Sequence, residues 1–279
     1  MKKVLLLCMA VCLLVLGCEK EGVYNPSKKI KRIYEGTSKR LSEEWTWNKN
    51  LLQKIDYYWN NSIGYTENFK YDDKNRVTKV EDYEYGDYYI ISYNDNGYNK
   101  IEFYDEDELY MSFSFTYEKK KVSRIDVTQY YDDDDWKSIK NGGFITKIIS
   151  KEILNSVKTI RSKTGTKGNA TARMDYKYDG NNVSEVELSA EGYSEKFSYE
   201  EYDNKLNPFY SSIFGVAAVE GGIGGFSKNN VGRLIVRVTT NYGSFTEKVD
   251  YEYTYDGKFP TEIISKSDGE RWVTTLEYN

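Results

Sequence analysis

The chain has 279 residues, of which 39 are Lys or Arg, 44 are Asp or Glu, three are Cys and none is His. The missing histidine excludes Ser-His-Asp triads, Cys-His nucleophile pairs and histidine-ligated zinc. A net charge of −5 is a poor match for nucleic acid, which rewards clustered Lys and Arg.

In chain order, Lys2 and Lys3 precede an apolar run from Val4 to Leu16, followed by Gly17-Cys18. A basic start and a short apolar core are the marks of a secretory signal, and a run of this length is too short to span a bilayer. Val15-Leu16-Gly17-Cys18 resembles a bacterial lipobox, which implies cleavage before Cys18 and lipid on its thiol. The expected organisation is a signal peptide at 1–17, a lipidated tether at 18–27 and a single all-β domain at 28–279. Cys8 and Cys12 would leave with the signal, so the mature chain would hold no disulfide although its compartment permits them. Glu19-Lys20-Glu21 resembles the surface-export signal of Bacteroidetes lipoproteins. It implies an outer-membrane protein that is surface-exposed rather than periplasmic.

The domain is built on a repeat. Each unit has an apolar residue, one spacer and an anchoring Tyr or Trp, then an apolar residue five positions on and an aliphatic one at eight. The anchors are Trp47, Tyr71, Tyr93, Tyr117, Tyr178 and Tyr255. Trp45, Phe69, Ile91, Phe115, Tyr176 and Tyr253 stand two before them. The closing aliphatics are Ile55, Val80, Ile101, Ile125, Val186 and Ile263, Val80 lying one position later than the rest. Each is preceded by a charge, namely Lys54, Lys79, Lys100, Arg124, Glu185 or Glu262.

Phe69-Lys70-Tyr71 shows the period-2 alternation of a strand with one buried face. Asp72-Asp73-Lys74-Asn75 is a turn cluster, with Asn75 where a left-handed residue is wanted; Gly97 serves that need in the third unit. Val77 and Val80 are three apart and cannot both face the core of one regular strand. Val77 is therefore expected to cover the turn and Val80 to enter the core. A looser copy spans Phe226 to Leu234, and half-units occur at Ile30–Ile33, Ile145–Ile148 and Leu276–Tyr278.

Strand, tight turn and strand in succession make an antiparallel meander. Pattern counting predicts roughly 14 to 18 strands, forming a large curved sheet or an up-and-down barrel, because an open sheet of that size would curl or close.

Tyr71-Asp72-Asp73-Lys74-Asn75-Arg76-Val77-Thr78 resembles the YD repeats of Rhs-type proteins, with Tyr178-Asp179 and Tyr255-Asp256 repeating the start. Glu118 after Tyr117 and Asn48 after Trp47 depart from that pattern. Tyr202-Asp203-Asn204-Lys205-Leu206-Asn207-Pro208-Phe209 and Ser227-Lys228-Asn229-Asn230 resemble segments of Bacteroidetes lipoproteins carrying a domain of unknown function described as porin-like in fold. That resemblance implies a porin-like barrel and no known activity.

The repeat also acts as a filter, since most of the 28 tyrosines fill its structural positions. Aromatics outside it are candidates for stacking on a glycan: Tyr57, Tyr58, Trp59, Tyr88, Tyr130, Tyr131 and Trp136. Asp132, Asp133, Asp134 and Asp135 are oxygen-rich candidates for Ca²⁺, but they match no EF-hand loop and read more simply as a solvated hairpin tip, as do Asp105-Glu106-Asp107-Glu108. The Gly-rich insertion at 207–230 breaks the repeat. It is expected to plug or cap an open end, with a short helix after Pro208, or to act as a lid over a ligand.

These features point to a non-enzymatic, lipid-anchored envelope protein that needs no cofactor. Its partners would be the membrane, through Cys18, and a glycan or an envelope protein. The alternative is a membrane-embedded porin-like barrel, with Met111-Phe113-Phe115-Tyr117 and Ala172-Met174-Tyr176-Tyr178 as lipid-facing strips. Glu67 and Glu247, on equivalent faces, weigh against it. A carboxylate-based glycosidase is a third and weaker reading, because it needs a placed pair of carboxyl groups.

Overall fold

The computed structural model describes residues 23–82, 86–105, 107–130, 170–190, 193–210, 226–240 and 243–279. The first eight strands are β1 (Ile30–Glu35), β2 (Arg40–Asn48), β3 (Leu51–Trp59), β4 (Ser62–Tyr71), β5 (Val77–Asp82), β6 (Tyr88–Asn94), β7 (Gly97–Asp105) and β8 (Glu108–Glu118). The second eight are β9 (Lys121–Gln129), β10 (Ala170–Asp179), β11 (Asn182–Ala190), β12 (Tyr193–Glu200), β13 (Arg233–Thr240), β14 (Gly243–Asp256), β15 (Phe259–Ser267) and β16 (Glu270–Tyr278). Every strand pairs antiparallel with its neighbours in sequence, and β1 pairs β16, so the meander closes as a 16-stranded barrel. Closure removes the free edges that a sheet of this size would otherwise expose.

Each repeat unit is a hairpin with a β-bulge at its anchor. The register slips at Thr46/Trp47, Lys70/Tyr71, Ser92/Tyr93, Thr116/Tyr117, Lys177/Tyr178 and Thr254/Tyr255. The additional residue on the returning strand is Gln53, Thr78, Asn99, Ser123, Ser184 or Thr261. Three of these hydroxyls donate across the bulge: Thr78 to the Lys70 carbonyl at 3.4 Å, Ser123 to that of Thr116 at 3.3 Å, and Thr261 to that of Thr254 at 3.2 Å.

The bulge corrects the expectation for Val77. An extra residue restores the facing that a spacing of three would reverse. Val77 and Val80 are both in the core, and so are Leu52 with Ile55, Val122 with Ile125, and Val183 with Val186.

The anchors then tie one hairpin to the next. Tyr71 Oη donates to the Leu52 carbonyl at 2.6 Å, Tyr93 Oη to that of Val77 at 2.8 Å, and Trp47 Nε1 to that of Ile30 at 2.7 Å. Tyr202 to Val183 at 2.6 Å, Tyr253 to Val231 at 2.7 Å and Tyr278 to Pro260 at 2.8 Å extend the pattern. The carbonyls of Leu52, Val77, Val183 and Pro260 lie where a hairpin has just turned, Ile30 opens β1, and Val231 precedes β13. All these contacts lie at one end of the barrel, here called the turn end; the opposite end is the rim.

Tight turns at the turn end use left-handed residues, including Asn75 at φ 63° and Gly97 at φ 134°. A Cβ on Gly97 would lie 2.7 Å from Tyr117 Oη, so backbone conformation and neighbour both call for glycine.

The two faces of the wall differ sharply. Ile55, Val80, Ile101, Phe113, Ile125, Val186 and Phe197 are wholly shielded and face inward. Water does not reach these side chains, and the described part of the lumen is packed at their level. Outside, ion pairs run around the wall: Arg32–Glu44 at 2.6 Å, Lys54–Asp56 at 2.5 Å, Lys79–Glu81 at 2.7 Å and Lys100–Glu102 at 2.6 Å. They continue through Arg124–Asp175 at 2.9 Å, Lys177–Glu185 at 2.7 Å, Arg233–Asp250 at 2.8 Å and Lys266–Glu252 at 2.5 Å. Lys70 and Lys79 hold the Glu81 carboxyl below its ordinary range by hydrogen bonding.

The described ends of the insertion sit at the turn end. Phe209 is buried against Trp45 of β2, and Phe226 packs edge-on to Tyr176 of β10. Asn207 N–H donates to the Lys228 carbonyl at 3.0 Å, and Lys228 N–H to that of Asn181 at 3.2 Å. Pro208 begins a turn within the described residues, and the expected helix falls on residues outside them. Tyr24, in the expected tether, is buried there too, its hydroxyl donating to the Pro208 carbonyl at 2.7 Å.

Three outcomes follow from this arrangement. Tyr93→Phe should lower unfolding free energy in urea by about 1 kcal/mol, the net value of one hydrogen bond; an unchanged midpoint would remove the anchor's role. Gly97→Ala should cost more, about 2 kcal/mol, because conformational strain adds to the clash with Tyr117. Burial also pushes the phenol pKa of Tyr71, Tyr176 and Tyr199 above the ordinary value. A raised folded pKa means that the neutral form stabilises the fold fully below about pH 10 and that this stability is lost as pH rises above it. Absorbance at 295 nm should therefore show these tyrosines ionising only as the barrel unfolds in alkali, whereas in guanidinium they titrate near pH 10.

Candidate functional site

Period-2 alternation that buries apolar side chains also carries acidic ones inward near the rim. Glu43 is two residues from Trp45, Glu67 two from Phe69, and Glu195 two from Phe197. They are only 4%, 2% and 4% exposed. Trp45 Nε1 donates to Glu43 Oε2 at 2.8 Å, and Tyr57 Oη to Glu67 Oε2 at 2.7 Å. Tyr57 stacks on Tyr65 with ring centroids 4.2 Å apart. Further round the wall, Gln129 Nε2 donates to Tyr110 Oη at 3.0 Å. Burial, followed by the charges of Glu67 and Glu43, pushes the Tyr57 phenol well above its usual pKa, so Tyr57 remains a donor. Charged acceptors buried at this depth persist only with such partners.

The layer orders the upper lumen. Neither Glu43 nor Glu67 faces a solvent-reached cleft, which a glycosidase pair requires. No group of three or more Asp, Glu, Cys or His side chains is arranged to hold a metal among the described residues. Glu43 and Glu195 were legible from alternation alone, by counting back two positions from Trp45 and Phe197. Glu67 lies on the anchor face, as its spacing from Tyr71 predicts, and that is the face the embedded-barrel alternative would turn to lipid.

That assignment of faces is corrected by the structure. Met111, Phe113 and Phe115, together with Ala172, Met174 and Tyr176, are buried inside the barrel. They belong to the same core as Ile101 and Val186.

The seven aromatics outside the repeat do not form one site. Tyr57 faces the lumen. Tyr58 lies on the outer wall and donates to Glu44 Oε2 at 3.1 Å. Tyr88 stacks on Tyr104 at 4.9 Å, has Lys79 Nζ 4.1 Å from its ring centre and donates to Asp107 at 2.9 Å. Tyr130 follows β9, with its hydroxyl 3.3 Å from Ser112 Oγ. Trp59 stands free at the β3–β4 turn, 65% exposed. Tyr131, Trp136 and Asp132 to Asp135 lie outside the described residues.

These described aromatics do share one end of the barrel. Trp59 is joined at the rim by Ile63, Phe245 and Trp272, exposed by 54%, 60% and 51%. Their strands, β14, β16, β3 and β4, lie on one arc of the wall. Phe245 and Trp272 were missed in the sequence because alternation marks them as ordinary strand residues, and only their height on the wall exposes them; Ile63 was missed because the bulge at Gly64 pairs it with Tyr58 on the outer face. The arc is an apolar lip with hydrogen-bonding indoles, a geometry suited to stacking on a flat apolar or sugar face. A single arc of large exposed side chains is the best-formed contact surface among the described residues.

No family model matches the chain. No curated protein matches it either. Among solved structures, the chain is similar to a porin-like protein from Bacteroides uniformis at 10% identity and a TM-score of 0.50, covering 93% of this chain and 100% of that one. A second porin-like protein, from Bacteroides vulgatus, aligns at 10% identity and a TM-score of 0.30 over 91% of this chain and 99% of that one. The first likeness shows the fold: an all-β, antiparallel, closed barrel of the porin-like kind.

Proposed function

We propose that the chain is a non-enzymatic, lipid-anchored protein of the outer membrane. Its porin-like barrel stands beside the bilayer as a binding or structural module, displayed at the surface rather than in the periplasm. The observation that carries this reading is the polarity of the wall, with ion pairs outward and the apolar face inward. A membrane barrel needs the opposite, since an Arg or Lys facing lipid at the midplane costs about 2–4 kcal/mol. The lipid on Cys18 would supply attachment that the wall does not. The ligand class that suits the rim is a glycan, stacked on Trp59 and Trp272. The second reading, a membrane-embedded porin-like barrel, draws its support from the fold likeness.

The two readings separate in solution. Mature chain lacking its lipid should remain monodisperse in buffer without detergent and add no conductance to a planar bilayer. A requirement for detergent, or stepwise conductance, would favour the embedded barrel and overturn the first reading. On a glycan array, Trp59→Ala and Trp272→Ala should abolish whatever signal the intact chain gives; silence across host, plant and bacterial glycans would remove the glycan.

A further inference from the structure

The turn end carries lysines that the fold does not ask for. Lys49, Lys119 and Lys120 hold left-handed backbone, with φ of 54°, 49° and 65°. Glycine and asparagine adopt that conformation at least cost, and both serve it elsewhere in the same barrel, as at Asn75 and Gly257. All three lysines are exposed, and none makes an ion pair among the described residues. Lys74, Lys228 and Lys258 are likewise exposed and unpaired at this end.

Much of the acid here is already engaged. Asp72 binds Arg76 at 2.7 Å, Asp256 binds Lys28 at 2.5 Å, Glu201 binds Arg233, and Asp203 accepts from Tyr255 and Asn230. Among the described residues, six unpaired lysines therefore stand against five unpaired carboxylates, Asp73, Asp95, Glu118, Asp179 and Glu200, in a chain that is acidic as a whole. Among the described residues the rim has the reverse balance: Glu35, Asp105, Asp107, Glu108, Asp268 and Glu270 outnumber Lys39, Arg40 and Arg271.

The chain also enters the barrel at the turn end. Tyr24 is locked to Pro208, and Lys29 reaches the Lys49 carbonyl beside the first tight turn. Only four residues, Glu19 to Gly22, separate Cys18 from Val23, and the five steps reach at most about 18 Å. A lipid on Cys18 would hold this end, and not the rim, against the bilayer.

We infer that the turn end is a docking surface for a membrane bearing anionic phospholipid headgroups. Lys49, Lys119 and Lys120 contact the phosphates, and the aromatic rim points away from the bilayer. This rests on the lipid-anchor reading for orientation but not for the binding itself.

The test uses residues 18–279 with Cys18→Ser, which retain all sixteen strands between Ile30 and Tyr278. In low salt this protein should cosediment with phosphatidylglycerol vesicles, not with phosphatidylcholine vesicles, and 0.5 M NaCl should release it. Changing Lys49, Lys119 and Lys120 together to Asn should weaken binding at least tenfold. The melting temperature should stay the same or rise, because Asn suits the left-handed positions. Trp59→Ala with Trp272→Ala should leave vesicle binding unchanged. Equal binding to both vesicle types, no binding to phosphatidylglycerol, an unaffected lysine variant, or loss in the tryptophan variant would each overturn the inference. Mass spectrometry of the native chain for acyl groups on Cys18 tests the anchor separately. An unacylated chain that still binds these vesicles through its lysines would overturn the anchor and leave the surface standing.

Discussion

A tyrosine hydroxyl reaching the carbonyl where the preceding hairpin has turned is the contact on which this barrel depends. Tyr71 to Leu52, Tyr93 to Val77, Tyr202 to Val183 and Tyr278 to Pro260 are one bond made repeatedly. A bulge leaves ladder groups unpaired, and a turn leaves carbonyls buried beneath the next strand. The anchor satisfies one such carbonyl while its ring covers the core. Short polar residues such as Thr78 and Ser123 satisfy another from the opposite side. Each hairpin is thus completed only by its successor, which gives a meander of separate hairpins its cooperativity.

The bulges also explain how a wide barrel acquires a closed interior. Each one turns a second apolar residue inward at the start of the returning strand, so the turn end is lined by pairs such as Leu52 with Ile55 and Val122 with Ile125. Phe209, Phe226 and Tyr24 pack among them. The charged spacer positions remain outside, where ion pairs are individually worth little. The likeness to a porin-like protein shows the path of the chain.

Much of this was legible in the sequence. The period of the anchors foretold hairpins, and counting segments foretold roughly 14 to 18 strands in a curved sheet or a barrel. The charged residue before each closing aliphatic foretold one charged side on each returning strand. What alternation could not supply was the bulge, because a spacing of three between Val77 and Val80 is ambiguous until pairing is known. Nor could it say which face of a closed sheet is the lumen, so the strip from Met111 to Tyr117 read equally well as lipid-facing or internal. The candidate site was less accessible still. Trp59 was found as an aromatic outside the repeat, but Phe245 and Trp272 obey alternation and are set apart only by their height on the wall. Tyr57 and Tyr88 looked available and proved to be bound to Glu67 and Asp107.

The seam between β1 and β16 has a consequence for the order in which the molecule forms. Lys31 and Glu277, 246 positions apart, meet across it at 3.0 Å. Bringing together the ends of so long a chain costs about 5 kcal/mol of closure entropy, against about 1 kcal/mol for a hairpin turn of two to four residues. The hairpins can form locally as the chain emerges, but the ring cannot shut until its final strand arrives. Until then β1 presents an unpaired edge, so the interval between synthesis of the first and last strands is when the protein is most open to pairing with another copy of itself.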